Sequence, residues 1–263
     1  DYVFRSGDSL GTTTLVAFPL PEYDLAWLGD AAMGEAGETV QSRTAFRLWV
    51  DGQEKTPTIE IKAMRNGIDV TSYLTSYGVP VESLDRSLLI STLKALPQDV
   101  RNWMASADVV RWNDQYDPDP LWTIKATYYW SQKFPAGKDV EVRHSYQPVA
   151  GRYAISDLEL REIEIADFCM SKAEQQGVRN RLNASQHGAL IASEVDYVLT
   201  TGANWNGPIG EFTLIVDKGS PDALVSLCFD GLKKTSPTRF ETTRLQFSPE
   251  AELRVLFVDA VAR

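Results

Sequence analysis

Few side chains in this sequence could do chemistry. The chain carries two histidines, His144 and His187, and two cysteines, Cys169 and Cys228. Two histidines cannot build a multi-histidine metal site within one chain, and no C-x-x-C pair stands in for them. A G-x-S-x-G elbow, an H-E-x-x-H pair, a P-loop and a Rossmann glycine run are all missing. His144 shares an alternating stripe with Val140, Val142 and Tyr146. A general base is one reading of it. No Ser or Cys nucleophile is tied to it by a motif, so the expected role is a half-buried imidazole hydrogen-bonded to backbone. His187, in NASQHGAL beside Gly188, reads as a loop or cap residue.

Acidic and aromatic residues offer two further candidates. WNDQYDPDPLW holds Asp114, Asp117 and Asp119 between Trp112 and Trp122. Such a run suits a calcium loop, or an acidic pair flanked by aromatics as in a glycan site. Its spacing fails the EF-hand pattern, and Asp-Pro steps are ordinary loop chemistry, so a solvated loop is expected. The second candidate is Trp205 in TTGANWNGPIGEF, flanked by Asn204 and Asn206. As a ligand platform, Trp205 would act with these two asparagines. The expectation is instead that the indole folds back and caps the strand ends, because loop aromatics usually find apolar cover. Trp122 and Trp130 alternate in phase with Ile124, which assigns them to a core. Taken by count alone, the cysteines permit one disulfide or two buried thiols.

The elements that must position these residues are mostly strands. Trp122, Ile124, Ala126, Tyr128 and Trp130 form one stripe, FPAGKD supplies a turn, and Val140, Val142, His144 and Tyr146 form another. Two period-two runs joined in this way predict a hairpin. Val195, Tyr197 and Leu199, then Phe212, Leu214 and Val216, repeat the pattern across a wide Gly/Pro connection. Further strands are expected at the opening YVFR and at TLVAFPL, AFRLWVDG, TIEIKAM, ALVSLCF and ELRVLFV, about ten in all. That exceeds one sheet's usual number, so sheets must pack on one another. Helical spacing appears at 81–107, with Pro97 as a break, and again at 156–193, opening on a Ser-Asp cap signal.

The fold class predicted is therefore mostly β: a large antiparallel β-sandwich with helical insertions, or alternatively two β-sandwich domains. Residues 1–263 are read as a single unit, with a split near 151 as the alternative.

Composition limits the partners. With 43% hydrophobic residues the chain can bury a substantial core, and wholesale disorder is excluded. A formal net charge of −10 argues against a nucleic-acid duplex or an anionic membrane surface as partner. No apolar run reaches the roughly 20 residues of a membrane helix, so no integral membrane segment is expected. The first residues already alternate as a strand, which implies preceding sequence where an export signal would lie.

Several long motifs carry a resemblance: TLVAFPLP, WSQKFPAGKDVEVRHSYQPVAG, YVLTTGANWNGPIGEFTLIVDKG and KKTSPTRFETTRLQFSPEAELRVLFV. Together they resemble a family of exported proteins of Gram-negative bacteria, known as a domain of unknown function (DUF 4424). The likeness covers most of the chain and departs at the N-terminus, where earlier strands of the family are missing. It implies an export signal upstream and a periplasmic or secreted location. In related sequences cysteines fall at the positions of Cys169 and Cys228, which in an oxidising compartment implies a disulfide. The function expected is a non-enzymatic periplasmic binding or assembly module, with an apolar small molecule or a periplasmic protein as partner and no cofactor. The alternative is a hydrolase of cell-envelope glycan or peptide, with Asp114, Asp117 and Asp119 as its carboxylates.

Overall fold

The computed structural model describes residues 1–25, 37–113, 115–148, 151–156, 164–185 and 188–259. The chain is mostly β and divides into two units, Asp1–Val149 and Ala150–Arg263. Among the described residues the ladders between strands are antiparallel.

The first unit contains β1 (Tyr2–Arg5), β2 (Thr12–Pro19), β3 (Tyr23–Asp24), β4 (Arg47–Val50), β5 (Gln53–Lys55) and β6 (Thr58–Arg65). It continues with β7 (Ile68–Asp69), β8 (Val110–Arg111), β9 (Asp119–Pro120), β10 (Thr123–Phe134) and β11 (Asp139–Ser145). One sheet has the order β1-β11-β4-β5 and another β2-β10-β6-β7, with β3 also on β10 and β8 paired to β9. Alternation along β10 buries Ile124, Ala126 and Tyr128 and exposes Lys125. At 12 residues this strand is long enough for one face to serve two cores. Ile124, Ala126 and Tyr128 pack in one, Trp130 and Phe134 in the other.

Helices cover the first of these cores: α1 (Val40–Thr44), α2 (Thr71–Ser76), α3 (Arg86–Ala95) and α4 (Gln98–Ser106). The Asp85 carboxylate accepts the Leu88 N–H at 2.9 Å and starts α3. Pro97, which has no N–H to donate, separates α3 from α4. Leu89, Leu93, Val100 and Met104 then bury against the strands, around a Trp122 that is 0% exposed.

The predicted hairpin between 122–130 and 140–146 requires correction. Both strands form, but β10 pairs with β2, β3 and β6, whereas β11 pairs with β1 and β4. The reason is burial. Trp130 and Phe134 meet Val140 and Val142 across a single core, which requires two facing layers. A hairpin would have placed both apolar stripes side by side on one sheet. Gly11 packs against this corner with φ +73; a Cβ there would lie 2.7 Å from the Phe134 carbonyl oxygen. Two-residue turns at Asp51-Gly52 and Asn66-Gly67, with positive φ at all four positions, close the hairpins β4–β5 and β6–β7.

The second unit contains β12 (Gly151–Ile155), β13 (Leu190–Tyr197), β14 (Ile209–Asp217), β15 (Leu224–Leu227), β16 (Lys233–Lys234), β17 (Arg239–Phe247) and β18 (Leu253–Asp259). Its helices are α5 (Glu164–Asp167) and α6 (Lys172–Ala184). A sheet β12-β13-β18-β15 lies between two layers. On one side Leu256 and Val258 pack against Val178 and Leu182 of α6. On the other, Leu253, Val255 and Phe257 pack with Leu214, Val216 and Phe240 of the sheet β14-β17-β16. Burial on both faces is why β18 reads LRVLFV, a nearly unbroken apolar run.

Two further expectations are corrected in this unit. β13 and β14 lie in facing sheets rather than in one hairpin; Tyr197 and Leu199 meet Leu214 and Val216 across the core. The helical stretch expected over 156–193 ends earlier, while residues 157–163, where its Ser-Asp cap signal continues, lie outside the described residues. The capping box that starts α6 is Ser171 with Glu174, and the chain is extended again from Leu190.

Candidate functional site

In the first unit, the chain turns from α1 into β4 through Ala45 and Phe46. Ala45 takes a left-handed conformation, φ 43 and ψ 43, and donates its N–H to the Gln41 carbonyl at 3.1 Å. Glycine usually fills that role at a helix end, and alanine there is strained by about 1 kcal/mol. Phe46 stacks on Tyr128, with ring centroids 4.1 Å apart and planes 11° from parallel. Tyr128 is 2% exposed, and its hydroxyl is 2.7 Å from the Thr44 hydroxyl. Burial raises the Tyr128 pKa, opposed by that hydrogen bond.

Above this stack opens a cleft of about 250 Å³. Gln41, Ala45 and Phe46 line one part of it, and Lys55, Thr56 and Pro57 another. Arg47 and Glu54 also border it and hold each other in a two-pronged ion pair, at 2.8 and 3.1 Å. Lys55 forms no ion pair among the described residues. The cleft thus combines an aromatic floor, an uncommitted ammonium, and amide and hydroxyl groups at its rim.

Phe46 also reaches His144. The imidazole is surrounded by rings: Phe18 at 4.1 Å between centroids, Tyr2 at 5.3 Å, Phe46 at 5.4 Å and Tyr146 at 6.3 Å. Burial drives its pKa down to about 4, so it is neutral at pH 7. Burial likewise pushes the Tyr146 phenol upward. The imidazole is half-buried as expected, but among the described residues it makes no hydrogen bond to backbone; its neighbours are aromatic rings.

The remaining sequence candidates do not converge. Asp117 is bound by Lys94 at 2.6 Å, a hydrogen bond that holds its carboxyl below the usual range. Asp119 pairs with Arg111 at 3.3 Å across the β8–β9 ladder. Asp114 and His187 lie outside the described residues, as does the side chain of Asn204. Trp205 follows a 3₁₀ turn at Thr200–Asn204, is 38% exposed, and stands beside an exposed Asn206.

Two features escaped sequence reasoning. Tyr73 and Trp103 pack at 3.7 Å between ring centroids on α2 and α4, leaving Trp103 39% exposed. In the second unit Arg254 gathers Glu194 at 2.5 Å, Asp196 at 3.5 Å and Asp167 at 3.5 Å, with Phe168 beneath its guanidinium at 4.9 Å. Burial, followed by repulsion from Glu194, raises the Asp196 pKa. The adjacent Cys169 and Cys228 form a disulfide with Cα atoms 4.9 Å apart, anchoring the segment that carries Asp167 and Phe168 beside β15. Strand pairing across β13 and β18 brings these charges together, and only the alternation of Glu194 and Asp196 hinted at it.

Comparison with known proteins adds one decisive observation. The family model of the "Domain of unknown function (DUF4424)" matches residues 1–256. The chain belongs to that family. No curated protein matches this family member. One solved structure is similar, a "putative nutrient binding protein" from Legionella pneumophila. It is 15% identical, with a TM-score of 0.44, covering 97% of this chain. The chain spans 57% of that protein's length.

Proposed function

We propose that this protein is a non-enzymatic binding module of the bacterial periplasm or exterior, and that a small molecule docks in the cleft above Phe46 and Tyr128. The cleft carries the reading: an open space of about 250 Å³ with an aromatic floor and polar groups at its edge. Small-molecule sites fix a ligand by setting polar groups beside an aromatic surface, and here Gln41, Lys55 and Thr56 stand beside Phe46. Its walls are held from behind. Tyr128 is fixed by Thr44, Thr44 accepts the Gln147 N–H at 2.8 Å through its carbonyl, and Arg47 is locked by Glu54. A preorganised wall spares a ligand the ordering cost of binding. The disulfide supports the location, because such bonds persist in oxidising compartments. Among the described residues no helix is long and apolar enough to cross a membrane.

Native mass spectrometry of protein isolated from its own cell envelope tests this. The expected spectrum shows a retained small molecule that is released on denaturation. Thr56→Trp, at an exposed position lining the cleft, should fill the space and abolish retention while leaving the melting curve in place. Equal retention by wild type and Thr56→Trp, or no retention by either, would overturn the proposal.

A further inference from the structure

Resting on the reading of the cleft as a ligand site, we infer that its ligand is a small carboxylate carrying a single flat ring. The first argument is charge. Of the cleft's cations, Arg47 is already neutralised by Glu54 in a bidentate pair, whereas Lys55 has no carboxylate partner among the described residues. An ammonium on a flexible stem suits one carboxylate, since it is a compact point charge with three donors. Other lysines, Lys133 and Lys138 among them, also form no ion pair among the described residues, but Lys55 is the one that lines the cleft.

The second argument is shape. Phe46 and Pro57 present flat apolar surfaces in the cleft, and Phe46 is held in its plane by the parallel ring of Tyr128. A planar ring against the part of Phe46 and Pro57 that lines the cleft adds an aromatic contact to those Phe46 already makes with Tyr128 and His144. Volume sets the size: about 250 Å³ admits one ring with its substituents and not an extended chain. Gln41 and Thr56 supply an amide and a hydroxyl, which suit a ring bearing a polar substituent better than a bare hydrocarbon. The Ala45 methyl forms part of the wall at a position where glycine would fit with less strain and leave the backbone bare.

Benzoate is the minimal probe, with benzyl alcohol as its neutral counterpart and cyclohexanecarboxylate as its non-planar one. Binding is read by saturation-transfer NMR on the full chain. Benzoate should bind wild type more tightly than both other probes. Lys55→Gln, a change on an exposed side chain, should weaken benzoate about tenfold and leave benzyl alcohol within about twofold, because only the charge-assisted contact is lost. Equal benzoate affinity in wild type and Lys55→Gln, or no benzoate binding up to about 10 mM, overturns the carboxylate assignment. A preference for cyclohexanecarboxylate overturns the flat ring. None of these failures touches the retention experiment with Thr56→Trp, so the ligand class can fall while the cleft stands as a binding site.

Discussion

Acidification should unfold the first unit earlier than its carboxylates alone would dictate, through His144. Tyr2, Phe18, Phe46 and Tyr146 surround the imidazole and depress its pKa to about 4, against 6.5 in a solvated chain. With the folded value below the unfolded one, the unfolded state takes the proton more readily. The stability that comes from keeping His144 neutral is complete above about pH 6.5 and drains as pH falls toward about 4. Integrating that difference between about pH 7 and about pH 5 gives a loss of about 2 kcal/mol. In urea, with a slope of about 2 kcal/mol per molar, the midpoint should drop by about 1 M. Six of the seven tryptophans, all but Trp205, fall in Asp1–Val149, so indole fluorescence follows the relevant unit. His144→Gln removes the titration and should flatten the curve over that window, whatever its absolute stability. If His144→Gln and wild type lose the same stability between these pH values, or if NMR places the His144 pKa near 6.5, the burial argument fails.

Three other outcomes are expected. Under denaturing, non-reducing conditions a thiol reagent should label neither Cys169 nor Cys228, and reduction should destabilise the second unit by about 4 kcal/mol, the loop-closure value for a separation of 59 residues. Ala45→Gly should relieve the left-handed strain and raise stability by up to about 1 kcal/mol, seen as a higher urea midpoint at unchanged slope. Trp205→Ala should cost about 2 kcal/mol, below the roughly 3–5 of a buried tryptophan, because the side chain keeps 38% of its surface in solvent; a loss above about 4 kcal/mol would show that the indole is a core residue after all.

Period-two alternation was enough to find most strands, because the side-chain period of an extended chain is a local property that burial of one face imprints on the sequence. It located β10 and β11 and the run that became β18, and Pro97 marked the break between α3 and α4 from its missing donor alone. Asp51-Gly52 and Asn66-Gly67 are turn signals written in the sequence itself, since Asp-Gly and Asn-Gly accept the positive φ that a two-residue hairpin turn requires. β17 was missed because RFETTRLQF spreads few apolar residues among charges and threonines, as suits an outer layer with one solvated face. The family was equally legible, in motifs that run through most of the chain.

Pairing was not legible. Alternation states which residues share a face and says nothing about which strand lies alongside, so β10 with β11 and β13 with β14 read as hairpins when each pair faces across a core. The cleft was invisible for a related reason. Phe46 and Tyr128 stand 82 positions apart and meet only because α1 delivers Phe46 onto the face of β10; Lys55 is brought back beside Phe46 by the β4–β5 hairpin, in which it pairs with Leu48. His144 shows the division most clearly. Its stripe predicted that it would be half-buried, but the four rings that hold it neutral come from β1, β2, the segment before β4 and the end of β11, and only tertiary packing brings them within reach of one imidazole.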